Sequence, residues 1–465
     1  MNEKSQFIKN LFAAFLAQGI SLLVSVFMSF IIPKILGVTQ YSYWQLFIFY
    51  SGYVGFFHFG FNDGLYLRLG GKKFEELDYD NIGTQFKLFF FIQCFISLTV
   101  IAMANLFSIS NPERRFIWIT TALYLLLNNL TLCLGFLFQA INQTKIFSIS
   151  TILDRVFVLV SIVALLWQGQ DSFKPFIIGY MVSKFISLVY CVWMARKIVF
   201  ARFTHIHTAL TEMWLNVSVG INLTIANIMS MLILGIGRGI VDDIWGIESF
   251  GKISFSLSLT NFFLLFIQQV SMVLFPALRR TGEAQQKKIY NKLRVYLGLF
   301  LPAVFIAYFP LKLFVGWWLP QYSESLKYLA LLLPLCTFDG KMQMLCNTYL
   351  KVLRQEKKLL QFNTYAFVIS LGLCAFSGYV LHNLTAIVIS MVLAIMSRSI
   401  VSELFLAREM GIKVLRLMAQ EISVALAFLA SIWMFNEAVA FAITILVYGI
   451  YLFFNRKSIK YSGKM

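Results

Sequence analysis

The fold class this sequence predicts is all-α: a polytopic membrane protein of about 14 transmembrane helices, arranged as two six-helix lobes related by a parallel pseudo-two-fold plus two C-terminal helices. Three observations predict it. Apolar runs of spanning length recur from end to end. The segments joining them alternate between poor and rich in Lys and Arg. Two stretches of the first half return, in the same order, in the second.

The first observation begins in composition. The chain has 465 residues, of which 59% are hydrophobic, 17% aromatic and 13% charged. A soluble domain carries about 25% charged residues, because its surface must be solvated. A spanning helix needs about 20 mostly apolar residues. Such runs lie at 8–32, 42–62, 86–108, 116–138, 146–167, 175–195, 213–236, 248–276, 295–318, 324–349, 360–381, 384–406, 417–435 and 438–454. His382-Asn383 alone splits the pair at 360–406, so a count of twelve stays open. Met1 to Asn10 is short and basic, with no small-residue cleavage site after it, and reads as the lead into a retained first span. No joining segment exceeds roughly twenty residues, too few for an extramembrane domain of ordinary size.

The second observation sets orientation. With the N-terminus inside, inner segments hold about 27 Lys and Arg against 6 in outer ones, which places both termini in the cytoplasm. The formal net charge of +18 is therefore a topology signal. It forms no basic tail and no aromatic-spaced basic strand, so nucleic acid is excluded as a partner. The six cysteines all fall in apolar runs without Cys-x-x-Cys spacing, and read as packing residues. There is no phosphate-binding Gly-x-x-x-x-Gly-Lys-Ser/Thr loop, and no pattern that calls for a metal or a cofactor.

The third observation is the repeat. Gly19-Ile-Ser-Leu-Leu-Val-Ser-Val-Phe-Met-Ser aligns without gaps on Gly220-Ile-Asn-Leu-Thr-Ile-Ala-Asn-Ile-Met-Ser, and Ala140-Ile-Asn-Gln-Thr-Lys145 on Val352-Leu-Arg-Gln-Glu-Lys357. The first pairs span one with span seven, the second the ends of spans four and ten. An even number of helices separates the copies, so they share one orientation, as in transporters whose halves rock about a central site. The expected division is 1–205, 206–407, and 408–465 for the two added helices and tail.

Charges at membrane depth are the candidate functional residues, since each costs about 2.5–3.5 kcal/mol on insertion scales unless it faces a partner or a wet cavity. They are Asp154 and Arg155 in span five, Lys184 in span six, Lys252 entering span eight, Asp339 and Lys341 in span ten, and Arg398 and Glu403 in span twelve. Asp63 and Arg68 close span two. Each has a plainer reading. Asp154 and Arg155 suit a structural ion pair, Lys184 and Lys252 suit cations reaching for headgroups, and Asp63 and Arg68 suit a helix end. Asp339, Lys341 and Arg398 sit deeper and favour a functional role. Gln18, Asn128, Asn129, Asn216, Asn222, Asn227, Asn261, Gln268 and Gln269 suit interhelical hydrogen bonds. His58 lies among aromatics and reads as packed.

Several local patterns carry a resemblance: Ile32-Pro-Lys-Ile-Leu-Gly37 followed by Tyr41, Phe59-Gly-Phe-Asn-Asp-Gly-Leu-Tyr-Leu-Arg68, Phe275-Pro276, and Pro320-Gln-Tyr322. With the topology, they make the chain similar to the multidrug/oligosaccharidyl-lipid/polysaccharide exporter superfamily. Within it, the chain resembles the polysaccharide-transporter branch that includes Wzx-type O-antigen flippases. One departure is Tyr41-Ser42, where that branch more often has Tyr-Gly; the second copy keeps Phe250-Gly251. The resemblance covers essentially the whole chain. It implies a flippase in the bacterial cytoplasmic membrane that turns an undecaprenyl-diphosphate-linked oligosaccharide (an O-antigen, capsule or exopolysaccharide repeat unit) from the inner to the outer leaflet by alternating access. The lipid-linked oligosaccharide and membrane lipids are then its partners, with a polysaccharide polymerase or chain-length regulator beside it. Fixed Arg and Lys in an aqueous cleft would replace the hydration of the diphosphate, and the candidate charges above lean positive.

A cation-coupled multidrug exporter or a lipid II flippase of the same superfamily is the alternative within transport. Drug exporters there typically carry an acid in span one, where this chain has only Gln18. An enzyme, a membrane glycan polymerase or transferase, is the alternative of another class, and such proteins normally have a large outer loop. The orientation is directly testable. Green fluorescent protein fused to either terminus is expected to fluoresce and alkaline phosphatase to stay inactive; the opposite pattern at either end refutes the inner placement of that end.

Overall fold

All described elements of the computed structural model are helical, and two of them are far too long to cross a bilayer once. The structure describes residues 3–106, 111–279 and 281–463; the side chains of 3–12, 266, 268–277, 279 and 457–463 lie outside the described residues. Lys4, Lys9, Gln268, Gln269 and the Phe275-Pro276 pair fall there. The helix α1 (Glu3–Tyr53) has 51 residues. At 1.5 Å per residue it would measure about 77 Å, against a hydrocarbon core of ~30 Å. It breaks at Gly37, whose φ of 65° and ψ of −176° lie in a region that only glycine populates readily.

Further along, α2 spans Phe61–Leu69, α3 Tyr79–Leu106, α4 Pro112–Ala140, α5 Thr144–Trp167, α6 Phe173–Met194 and the short α7 Arg196–Val199. The 74-residue α8 (Ile206–Arg279) breaks in the same way at Gly246, with φ 78° and ψ −177°. Then come α9 (Glu283–Phe300), α10 (Val304–Trp318), α11 (Ser325–Leu332), α12 (Pro334–Lys341), α13 (Asn347–Val352), α14 (Glu356–Ala375), α15 (Leu384–Met410), α16 (Leu415–Met434) and α17 (Glu437–Gly463). Among the described residues, twelve helical stretches are long and apolar enough to cross a membrane. Two of these hold the glycine breaks and count as two crossings each, which gives the 14 that the sequence predicts.

The repeat is written in the backbone as well as in side chains. Gly37 and Gly246, with matching dihedrals, are 209 positions apart (246 − 37). Asn142 and Arg354, both left-handed though neither is glycine, are 212 apart (354 − 142). The turn each makes is closed by the same bond: Gln143 N–H donates to Phe138 O and Gln355 N–H to Leu350 O, both at 2.7 Å. These turns end α4 and α13, the positions that the second sequence match pairs.

The chain forms two compact units, Met1–Ile228 and Met229–Met465, and passes from one to the other within α8. In the first, α5 packs on α1 and α6, and α4 is the central helix, touching α1, α2, α3, α5 and α6. Phe61, Phe86, Phe89, Leu130, Leu134 and Phe138 build its core. In the second, the crossing from Ser325 to Val352 is the central one, with 94% of its apolar window buried. It is not uniform: Met342–Cys346 widens into a π-helical turn. All six cysteines are free, five of them buried in these cores.

The second crossing differs from the sequence reading, which carries it unbroken over 42–62. After Val54–His58 the helix tightens to a 3₁₀ turn, Phe59 and Gly60 turn left-handed, and helix restarts at Phe61 and continues to Leu69. Backbone groups freed at membrane depth must be satisfied within the protein. Asn129 Nδ2 donates to Val54 O and Gln93 Nε2 to Phe57 O, both at 2.9 Å, and Gly60 N–H donates to His58 Nδ1 at 3.0 Å. On its other side, α2 packs backbone to backbone against the 206–228 part of α8. A Cβ on Gly64 would lie 1.8 Å from Asn216 O, and one on Gly220 2.0 Å from Gly60 O. Gly64→Ala and Gly220→Ala should each lower the thermal midpoint in detergent, by the ~1–3 kcal/mol of overpacking. Gly372→Ala, whose Cβ would meet nothing within 4 Å, should not; equal behaviour of the three contradicts the close seam.

Candidate functional site

Every candidate charge except Arg155 and Asp63 pairs with a Lys, Arg, Asp or Glu of opposite sign, and Asp63 has only His58 nearby. The densest cluster joins four helices of the second unit. Glu403 on α15 and Glu421 on α16 each contact both Arg294 on α9 and Lys341 on α12. The Lys341 Nζ donates to Glu421 Oε2 across 2.6 Å. Arg294, Glu403 and Glu421 are 0% exposed and Lys341 1%. Two cations and two anions cancel, so the cluster is neutral as a whole. Such a closed square adds little net stability over an apolar core, but removing one corner strands a charge and costs about 3–5 kcal/mol.

Beside it, Arg398 on α15 donates to Asp339 on α12, to Ser230 Oγ on α8 at 2.7 Å and to Asn363 Oδ1 on α14 at 3.3 Å. Asp339 also accepts from Gln343 in the π-helical turn. Asp339 and Lys341 thus stand two residues apart and serve two different partners. Residues two apart face different sides of a helix, so one helix supplies both.

In the first unit the expected Asp154 to Arg155 pair does not form. Asp154 accepts from Lys184 Nζ at 3.1 Å and Ser183 Oγ at 3.0 Å, so Lys184 points inward where the sequence suggested a headgroup. Successive helical residues face different sides, and Arg155, whose electrostatic neighbours are Tyr180, Asp154 and Tyr124, forms no ion pair among the described residues. Its Nε is buried with no hydrogen-bond partner among the described residues. Arg155 lies 11 residues into a 24-residue helix, about 16 Å from its start, and so near mid-depth.

The remaining candidates sit nearer the ends. Lys252 meets Glu324 at 2.6 Å. That exposed carboxyl, outside the membrane span, is held below the usual carboxylate range by the hydrogen bond and charge of Lys252. Arg68 on α2 pairs with Glu212 on α8 at 2.7 Å and donates to Asn216 Oδ1 at 2.9 Å. Asp63 accepts from Thr224 Oγ1 at 2.7 Å and stands 3.9 Å from His58 Nε2. The amides divide. Asn129 and Asn216 are buried and bonded between helices, whereas Asn222, Asn227 and Asn261 are exposed.

Sequence reasoning missed Arg294 and Glu421. Arg294 reads as an inner-segment cation one residue outside span 295–318, but α9 begins at Glu283 and carries it three turns into the helix. Glu421 was legible: an isolated acid within span 417–435 meets the same criterion that picks Glu403.

Comparison with known proteins supplies a family and a fold. Residues 7–282 match the family described as "Polysaccharide biosynthesis protein". No curated protein matches the chain. Among solved structures, the chain is similar to a lipid II flippase in an inward closed conformation, with a TM-score of 0.69 at 14% identity over 97% of this chain and 100% of that one. It is similar to an inward-facing multidrug-resistance transporter described as a member of the MATE family and the MOP superfamily, with a TM-score of 0.65 at 12% identity over 87% and 98%. A Pyrococcus furiosus transporter described by the reverse polarity of its binding pocket matches with a TM-score of 0.55 at 12% identity over 88% and 96%. The fold is that of multi-pass membrane transporters.

The neutral square makes a prediction of its own. Lys341→Ala should lower folded yield and thermal midpoint by about 3–5 kcal/mol, and Lys341→Met with Glu421→Gln, which restores neutrality, should recover most of that. Size-exclusion profiles after heating read both. A double variant no better than the single one contradicts charge balance as the role of the cluster.

Proposed function

We propose, from the premise that this chain belongs to the polysaccharide biosynthesis protein family, that it is a flippase for an isoprenoid-diphosphate-linked oligosaccharide. The transported unit is a repeat of a surface glycan, turned from the inner to the outer leaflet of a bacterial cytoplasmic membrane, with both termini in the cytoplasm. A many-span transporter fold in a polysaccharide-making family needs a cargo that is both glycan and lipid. Flipping leaves the lipid tail in the bilayer and moves only the head. The observation that carries the reading is the fit of the whole chain, with 97% of it covered, to the fold of a lipid II flippase, a protein named for a lipid cargo. The two multidrug-resistance transporters, inward- and outward-facing, match over 87% of it.

The charge pairing sharpens which residues meet the head. Lys341, Glu403, Asp339, Arg398, Asp154, Lys184 and Lys252 are engaged with one another or with Glu421, Arg294 and Glu324, and in this reading they hold helices in register. Arg155 is the candidate cation left to receive the diphosphate: among the described residues it forms no ion pair, its Nε has no hydrogen-bond partner, and it stands midway along its helix. An inside-negative potential favours outward movement of the anion by about 2.3 kcal/mol per charge per 100 mV, so the reading needs no nucleotide site. The multidrug reading rests on no comparable residue, since the first crossing carries no acid between Ala13 and Ile32.

Deleting the gene should remove the surface glycan and leave lipid-linked repeat units on the inner leaflet; accumulation on the outer leaflet would instead indicate a polymerase. Arg155→Ala, inserted at wild-type level, should restore glycan at least about tenfold less well than wild type, the loss of one to two charge-assisted hydrogen bonds. Full restoration by Arg155→Ala sinks its assignment.

A further inference from the structure

The segment 195–205, which includes α7 and joins α6 to α8, carries charge of one sign only. From Trp193 to Thr211 the chain holds Arg196, Lys197, Arg202, His205 and His207 and no acid. The three fixed cations are exposed, and none has an acidic partner within 4.0 Å among the described residues. The first acid after them, Glu212, is already paired with Arg68 at 2.7 Å. The second copy departs from this pattern. Its Ala407-Arg408 lies 212 positions after Ala195-Arg196 (408 − 196), the offset that also relates Arg354 to Asn142, but Glu409 stands where the first copy has Lys197.

The segment is fixed to the first unit along one side. Ala195 and Ile198 are fully buried and belong to the core that Phe86 and Phe89 help to build. The Ile198 carbonyl lies so close to α3 that a Cβ on Gly83 would meet it at 2.2 Å. Arg202 N–H donates to Asp80 Oδ1 and Thr204 N–H to Thr84 Oγ1, both at 3.0 Å. Asp80 is the one acid that bonds the segment among the described residues, and it does so through a backbone amide. Lys87 on α3 donates to Ala201 O, and its Nζ stands 5.2 Å from the centre of the Phe203 ring.

The free side is aromatic as well as basic. Trp193, Phe200, Phe203, Ile206 and Trp214 are all exposed, Phe200 by 76% and Trp214 by 70%. The Arg196 guanidinium stands 6.0 Å from the centre of the Trp193 ring. Water is a poor solvent for so much exposed ring surface, and hydrocarbon is a poor one for three unpaired cations. The headgroup layer takes both. Aromatic rings settle at that level, and Lys and Arg extend from it to lipid phosphates. The Lys and Arg bias of the sequence predicts the inner side for this end of α6, where the membrane surface is anionic.

We propose that this surface binds the headgroup of an anionic glycerophospholipid of the inner leaflet, with phosphatidylglycerol as the matching class. Arg196, Lys197 and Arg202 meet the phosphodiester, the two guanidinium groups offering paired donors. Trp193, Phe200 and Phe203 lie beside the glycerol and the first carbons of the chains. The bonds to Asp80, Thr84 and Lys87 hold the backbone in place before the lipid arrives, so little ordering is left for binding to impose. The site is separate from the cargo path and stands whichever cargo the chain moves.

The test uses the full chain purified in detergent and titrated with phosphatidylglycerol or with phosphatidylcholine of the same acyl chains, read by native mass spectrometry. Wild type should bind phosphatidylglycerol at least about tenfold more tightly than phosphatidylcholine. Arg196→Gln with Lys197→Gln and Arg202→Gln should abolish that preference. Lys287→Gln with Lys288→Gln and Lys357→Gln removes as many exposed cations from other inner segments and should keep it. Inorganic phosphate at the same concentration should not displace the lipid. A second measurement needs no variant: amide hydrogen exchange over 195–205 should be slower in nanodiscs containing phosphatidylglycerol than in nanodiscs of phosphatidylcholine alone. Equal binding of the two lipids, equal loss in the two triple variants, or unchanged exchange over 195–205 refutes the site. Displacement by phosphate refutes a lipid as its ligand.

Discussion

A charge carried into hydrocarbon is tolerated only with its counter-charge, and the second unit is organised around that constraint. Arg294, Lys341, Glu403 and Glu421 come from four helices and meet where no water reaches any of them. None of the four helices could hold its own charge in lipid, so each acts as a condition on the placement of the other three. The α12 helix is tied twice, through Lys341 to this square and through Asp339 to Arg398. The wide π-helical turn over Met342–Cys346 lies directly after that double attachment. The α16 helix, the first of the two that follow the repeated twelve, is anchored to the unit by Glu421.

The same constraint decides what is left for function. Charges that neutralise each other inside a closed cluster cannot also neutralise a cargo. In the proposed reading, pairing narrows a broad band of candidate cations to Arg155, the one candidate cation without an ion pair among the described residues. It also separates Asp63 from the other buried acids, because its basic neighbour is a histidine.

Much of the fold was legible in the sequence because bilayer thickness imposes a length on apolar runs and because Lys and Arg mark their inner ends. The repeat was legible at Gly19 and Gly220 and at Ala140 and Val352, and the matching turns at Asn142 and Arg354 give it a backbone counterpart. The break at Phe59-Gly60 was not legible, since hydropathy does not register backbone dihedrals and one glycine within an apolar run does not by itself mark a break. Which charges pair was hidden for a different reason. Neighbours in sequence, such as Asp154 and Arg155, point to different faces of a helix, while true partners lie up to 144 residues apart, as Arg68 and Glu212 do. Glu421 itself was within reach of the rule that picked Glu403.

Direct observation of flipping tests the account at its centre. The purified chain would be reconstituted in vesicles carrying a labelled undecaprenyl-diphosphate-linked oligosaccharide, with lectin access to each leaflet measured over time. The account predicts transfer well above protein-free vesicles, slowed by Arg155→Ala, and none for the same glycan on a carrier lacking the diphosphate. Transfer no faster than in protein-free vesicles, or equal transfer of the uncharged conjugate, would contradict it.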